Sequence, residues 1–312
     1  MPIRRSLIAM FGVALVLSNA AQSVDARSGK DKDAAQPFIV ETRIAAPKRV
    51  GEFQLESTYY DPATKHAGAS LRYLLPDHPE IRFDLFVYPA GEMPHDTAMT
   101  SGMKDFVDSF DAGVKMKYYS DLKIVDIVDF DIGPKTETTA PQEDKPAANT
   151  PPESEADAII EAALAPKPVS GKRIDLRYTM RMDETGETVP MRSRGYLFYR
   201  QLYYFKGRIS VAESRADQAT FDTLSDRAMR ELVPAVQASN IGGCASVEIV
   251  VDKETATKSG GTIGDLLMQV VGESLDGIHR NCHETRAEAK ASEPKQAEII
   301  TIEYDPDDWG SQ

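Results

Sequence analysis

The sequence predicts an α+β fold in which helices pack on an antiparallel sheet, extended by a C-terminal βαβ unit. Three observations carry that prediction. Most of the chain divides into short runs rich in β-branched and aromatic residues, separated by Pro, Gly and Asp turns. Two longer stretches repeat apolar residues at helical spacing. They interrupt the strands instead of alternating with them one for one, which argues for an antiparallel sheet. A third helical stretch lies between two strand runs near the C-terminus, the order of a crossover unit.

Pro37–Ala45, Glu52–Tyr60, Ala69–Leu75 and Ile81–Tyr88 read as the first strands. Thr97–Tyr119 reads as a helix, with Met103, Phe106, Phe110, Val114 and Tyr118 on one face. Lys123–Ile132 follows as a strand. Gly171–Met182 and two runs within Met191–Ser214 give three more, the last two forming a hairpin that turns near Arg200–Gln201. Asp217–Ala238 is a helix with Phe221, Leu224, Ala228 and Leu232 on its inner face. The C-terminal unit is the strand Ala245–Val251, the helix Thr262–Cys282 and the strand Gln296–Tyr304. Its helix opens with Thr262-x-x-Asp265, a capping-box pattern.

These elements set the organisation. Residues 37–133 and 171–240 form the sandwich core, 241–306 the βαβ unit and 307–312 a solvated tail. Residues 134–170 hold seven of the chain's nineteen prolines and almost no aromatics, so they bury too little apolar surface to offset their ordering entropy and read as a disordered insertion. Residues 1–26 read as a secretory signal peptide. Arg4 and Arg5 precede an apolar run from Leu7 to Leu17, and small residues offer cleavage after Ala20 or Ala26. Nothing after it is apolar for long enough to span a bilayer. A net charge of −13 argues against nucleic acid and anionic lipid as partners. The reading is a soluble periplasmic or secreted protein.

The element order over Glu52–Ala238 resembles the PsbP/DcrB-like α/β sandwich. The run from Tyr204 to Ser246 is similar to uncharacterised exported bacterial proteins of that architecture. The resemblance implies a fold and an exported location; it implies no activity, cofactor or site residue.

The stretch Gly277–Glu284 holds His279, Cys282 and His283 within five residues. A strand of about 26 Å and a returning helix of about 31 Å bring Cys282 back beside Cys244. In an oxidising compartment the two are expected as a disulfide. The alternative is zinc held by His279 and His283, at i,i+4 on one helix face, with one or both thiolates. A catalytic thiol has no identifiable base. The run Arg194–Tyr199 resembles an RRM strand only in part, since Leu197 stands where that motif has Gly or Ala. It reads instead as a central strand apolar on both faces. Tyr196, Tyr199, Tyr203 and Tyr204 could line a ligand groove on the same hairpin.

No nucleophile elbow, Walker loop, dinucleotide fingerprint or His-Glu-x-x-His helix occurs. The expected function is therefore non-enzymatic binding or envelope assembly, with no cofactor and with an envelope protein or a small molecule as partner. The alternative is a hydrolase whose site is assembled from separate loops.

Overall fold

The computed structural model describes residues 37–133, 168–181, 186–245 and 280–309. The readings of 1–26 as a signal peptide, of 134–167 within the expected disordered insertion and of Thr262–His279 as helix lie outside the described residues. So does all but the first residue of the strand expected at Ala245–Val251. Residues 168–170, read as the end of that insertion, are instead ordered, with Val169 bridged antiparallel to Ile132 and packed on the core.

The elements in chain order are β1 (Glu41–Pro47), β2 (Arg49–Val50), β3 (Phe53–Tyr60), β4 (Ala69–Leu74), β5 (Arg82–Pro89), α1 (His95–Lys115) and β6 (Tyr119–Asp129). Then come β7 (Gly171–Arg181), β8 (Thr188–Arg200), β9 (Tyr203–Ala212), α2 (Gln218–Ala235) and β10 (Gln237–Ile241). The last are β11 (Cys282–His283), α3 (Arg286–Ser292) and β12 (Ala297–Glu303). Among the described residues, eight strands make one antiparallel sheet in the order β2-β3-β4-β5-β9-β8-β7-β6, and four make a mixed sheet, β11-β10-β1-β12. The fold is α+β and mostly sheet.

Three layers result. Strand alternation sends Tyr196 and Phe198 of β8 to one face and Leu197 to the other, and both faces are covered, so β8 is apolar throughout. On one side α1 sets Phe106 and Phe110 against Ile174, Leu176 and Leu197. Two glycines allow its close approach: a Cβ on Gly102 would stand 2.6 Å from the Tyr204 ring, and one on Gly195 2.6 Å from the Phe106 ring. On the other side α2, through Phe221, Met229 and Leu232, and the mixed sheet, through Ile44, Ile300 and Ile302, share one core with Phe83, Tyr196, Phe198 and Phe205. Asp217 caps α2 by accepting from the Thr220 amide at 2.9 Å.

The expected hairpin turns at Gln201–Leu202, where both residues have positive φ (54° and 67°), matching the twist that favours a two-residue turn. Neither side chain prefers that region. Contacts hold the turn instead: Gln201 Oε1 accepts from the Ala238 amide at 2.9 Å, and the Leu202 carbonyl accepts from the Ala90 amide at 2.9 Å.

Four expectations change. The last strand of the expected C-terminal unit does not stand apart: β12 pairs antiparallel with β1, Glu303 opposite Glu41, and β1 pairs on its other side with β10, whose residues were expected partly as helix. Helix α1 ends at Lys115, and Lys117 adopts φ 63°, so Val114 and Tyr118 are exposed and do not extend the buried stripe. A short helix, α3, precedes the final strand. The described part of the expected solvated tail, as far as Trp309, closes over the core: Asp308 pairs with Lys65, and the Trp309 ring packs against Tyr304 at 5.4 Å and Tyr203 at 6.1 Å.

Candidate functional site

The cysteines meet as expected, by a different route. Parallel pairing of β10 with β11 sets Cys282 opposite Asn240, and the chain leaving β10 turns through Gly242 to Cys244, whose amide donates to the Phe38 carbonyl at 2.8 Å. Asn281, at φ 52°, donates from Nδ2 to the Ala238 carbonyl and to Ser239 Oγ, both at 3.0 Å, which fixes the register. Cys244 and Cys282 stand at disulfide distance with Cα atoms 5.8 Å apart, inside the usual range. Their pairing takes both sulfurs out of any ligand set. His283 is on strand β11 instead of a helix face, so it cannot form an i,i+4 pair with His279, which lies outside the described residues. Burial lowers the His283 pKa, with Glu288 opposing. Among the described residues no three His, Cys, Asp or Glu are grouped to hold a metal.

Because Cys244 is buried in the main core, reduction is expected to lower the stability of the whole fold by about 2–4 kcal/mol. Thermal unfolding with and without reductant checks this. One transition moving as a unit is the expected record, and a separate early transition would contradict it.

The sheet divides the four tyrosines. Tyr196 and Tyr203 are fully buried beneath α2 and the mixed sheet, where Tyr196 donates to Asp226 Oδ1 at 2.6 Å and the Tyr203 and Tyr304 hydroxyls lie 2.6 Å apart. Tyr199 and Tyr204 lie on the opposite face near the start of α1, donating to the carbonyls of Gly91 and Ala98, each at 2.8 Å. Burial raises the Tyr204 pKa to about 12 and raises those of the other three. These hydroxyls anchor backbone and carboxylate groups, and no single groove contains all four.

The open surface lies at the other end of the eight-stranded sheet. A groove of about 620 Å³ runs between α1 and the β6–β7 pair, floored by Met99, Met103, Val107 and Ile127, with Lys104 and Lys172 beside them. Strand β6 pairs only with β7, so its outer edge is unpaired among the described residues. Ile124, Val125 and Ile127 are 38–53% exposed on it, and Val114, Met116 and Tyr118 continue the apolar surface from the end of α1. Large exposed apolar residues gathered in one place mark a contact surface, whereas single ones do not. Sequence reasoning found the strand and missed its exposure, because "KIVDIVDF" carries enough apolar residues to pass for a buried strand. The two aspartates within it were the available signal.

Two half-buried cations tie α1 and β6 to the sheet. Arg208 donates from Nη2 to Tyr119 Oη at 2.8 Å and to Tyr178 Oη at 3.4 Å, with its guanidinium 5.2 Å from the Phe110 ring centre. Lys206 lies over Phe106 with Nζ 4.1 Å from the ring centre. Burial, helped by Arg208, lowers the Lys206 pKa from 10.5 to about 8.

That shift sets a pH dependence. Below pH 8 Lys206 is protonated in both folded and unfolded chains and its full cost is present. Between 8 and 10.5 the unfolded chain holds more protons, so stability rises with pH until the cost is gone. The shift corresponds to about 3 kcal/mol, partly offset by the ring contact. Lys206→Met is expected to stabilise the fold by about 1–2 kcal/mol at pH 7 and by much less at pH 10, measured by denaturant unfolding. A loss at pH 7 would show that the cation holds the helix in place.

No protein-family model matches the chain, and no curated protein matches it.

Proposed function

We propose that this chain is an exported, non-enzymatic binding or assembly protein that works through the face formed by β6 and the end of α1. The observation that carries the reading is the concentration of exposed apolar side chains on an edge strand whose backbone edge is open among the described residues. Such an edge can accept another chain. The paired cysteines are compatible with an oxidising compartment. Among the described residues no helix is long and apolar enough to cross a membrane. The element order supports a PsbP/DcrB-like sandwich as the frame.

A photo-crosslinking residue at Val125 tests the reading, with Tyr59 as control, an exposed aromatic on β3 distant in the sheet order from β6. In envelope extract, a protein adduct is expected from position 125 and none from 59. Equal yields at both positions, or turnover of ester or amide substrates by the purified chain, would turn the assignment toward the loop-assembled hydrolase.

A further inference from the structure

We infer that the occupant of the β6 face is a second copy of this chain, joined edge to edge through antiparallel β6 strands related by a two-fold axis between Ile124 and Val125. This rests on the preceding reading of β6 as a binding face. Side-chain direction decides which residues could meet across such an axis. Ile124 and Ile127 lie opposite Leu176 and Ile174, which pack under α1, so both isoleucines are on the α1 face. Lys123 and Asp126 lie opposite Arg177 and Asp175 and are on the other face. In an unbroken strand, residues three apart would point to opposite faces. The bulge between Ile124 and Asp126 inserts one residue and returns them to the same face.

Within the chain these two charges are badly placed. Lys123 faces Arg177 and Asp126 faces Asp175, and like charges directly opposite one another destabilise a strand pair. Arg177 and Asp175 have other partners, in Glu213 and in Arg173 and Arg194. No carboxylate is paired with Lys123 among the described residues, and Asp126 accepts a hydrogen bond only from the Ile127 amide, at 2.9 Å. A two-fold partner with the dyad between Ile124 and Val125 brings Lys123 beside Asp126 of the second copy, twice. The same register sets Leu122 beside Ile127 on the α1 face, also twice. The strand is thus self-complementary in charge and apolar character, as a contact between identical surfaces requires. Strand pairing alone covers less than the roughly 800 Å² per partner of a stable interface. The groove residues Met103 and Val107, with exposed Val114 on the same helix, lie where they would extend it.

Sedimentation of the full chain over a range of concentrations tests this. The wild type is expected to pass from monomer to dimer. Lys123→Asp and Asp126→Lys alone are each expected to weaken self-association tenfold or more, because each sets like charges against each other across the axis. Mixed together they are expected to form a heterodimer of near wild-type strength, since one copy then carries two acids and the other two bases, and both contacts join opposite charges. That recovery cannot arise from misfolded variants. The inference is overturned by a wild type that stays monomeric at high concentration, or by a dimer indifferent to both charge reversals. It is also overturned if the chain dimerises only after residues 134–167 are replaced by a Gly/Ser linker, which would make that segment the natural cover. A monomer that still gives the Val125 adduct with another protein refutes the second copy and leaves the binding-face reading standing.

Discussion

Replacing Phe198 by alanine is expected to cost the fold about 3–5 kcal/mol, read from denaturant midpoints at unchanged slope. Phe198 is fully buried on an inner strand, with the Phe130 ring at 6.1 Å. Its cross-strand neighbour on β7 is Gly171, which has no side chain to move into the space. The relation is reciprocal, since a Cβ on Gly171 would overlap the Phe198 ring. A site that cannot collapse sits at the high end of the cost for truncating an aromatic. Adding Gly171→Ala to Phe198→Ala is therefore expected to recover part of the loss, although Gly171→Ala alone is expected to destabilise. Wild-type stability for Phe198→Ala would mean that the hairpin is not the centre of the core.

Replacing Arg194 by methionine is expected to cost a similar amount. Its side chain is only 8% exposed, and its guanidinium meets Asp175 at 2.7 Å, Asp222 at 3.1 Å and Asp226 at 3.1 Å and donates to the Asp222 carbonyl at 3.0 Å. Burial works against its charge, and Tyr196 with the three carboxylates outweighs it, so its pKa is raised. Removing the arginine leaves Arg173 as the remaining cation for Asp175 and Asp226, at 3.2 and 3.5 Å, while Asp226 keeps the Tyr196 hydroxyl. Breaking a fully buried charge set on one side costs about 3–5 kcal/mol; here the three carboxylates are 21–33% exposed, so the loss is expected at the low end of that range. Combining Arg194→Met with Asp175→Asn and Asp226→Asn is expected to regain most of that loss. If the single variant is neutral in urea unfolding, the carboxylates reach water and the cluster does not bind α2 to the sheet.

The sequence made the long elements legible where one residue pattern sufficed. Alternation in β3, β4, β5 and β9, the continuous apolar run of β8, the Phe221–Leu232 face of α2 and the turn after Arg200 all follow from local spacing. Partnership did not. "ETRIAAP" reads as a strand, and its pattern carries no information on whether it joins neighbouring β3 or strands near the chain end; it does the latter. Strand β11 has two residues, too few for any periodicity, and exists because Asn240 and Asn281 hold it to β10. The tyrosines were adjacent in sequence, and alternation alone could have shown that Tyr203 and Tyr204 face opposite ways. The edge position of β6 depended on sheet order, which no single segment encodes.

The placement of β1 bears on how the chain reaches this state. Synthesis delivers the N-terminus first, yet β1 gains its two neighbours only when residues 237–241 and 297–303 exist. Pairings this distant along the chain close late and slowly, since the loop entropy must be met before the contacts reward it. Until then a seven-residue strand, buried along its whole length in the finished fold, has both edges bare. Strand β12, made long after β1, therefore acts as the latch on it, and a nascent chain that still lacks β12 would present β1 to any quality-control factor that recognises unpaired strand edges.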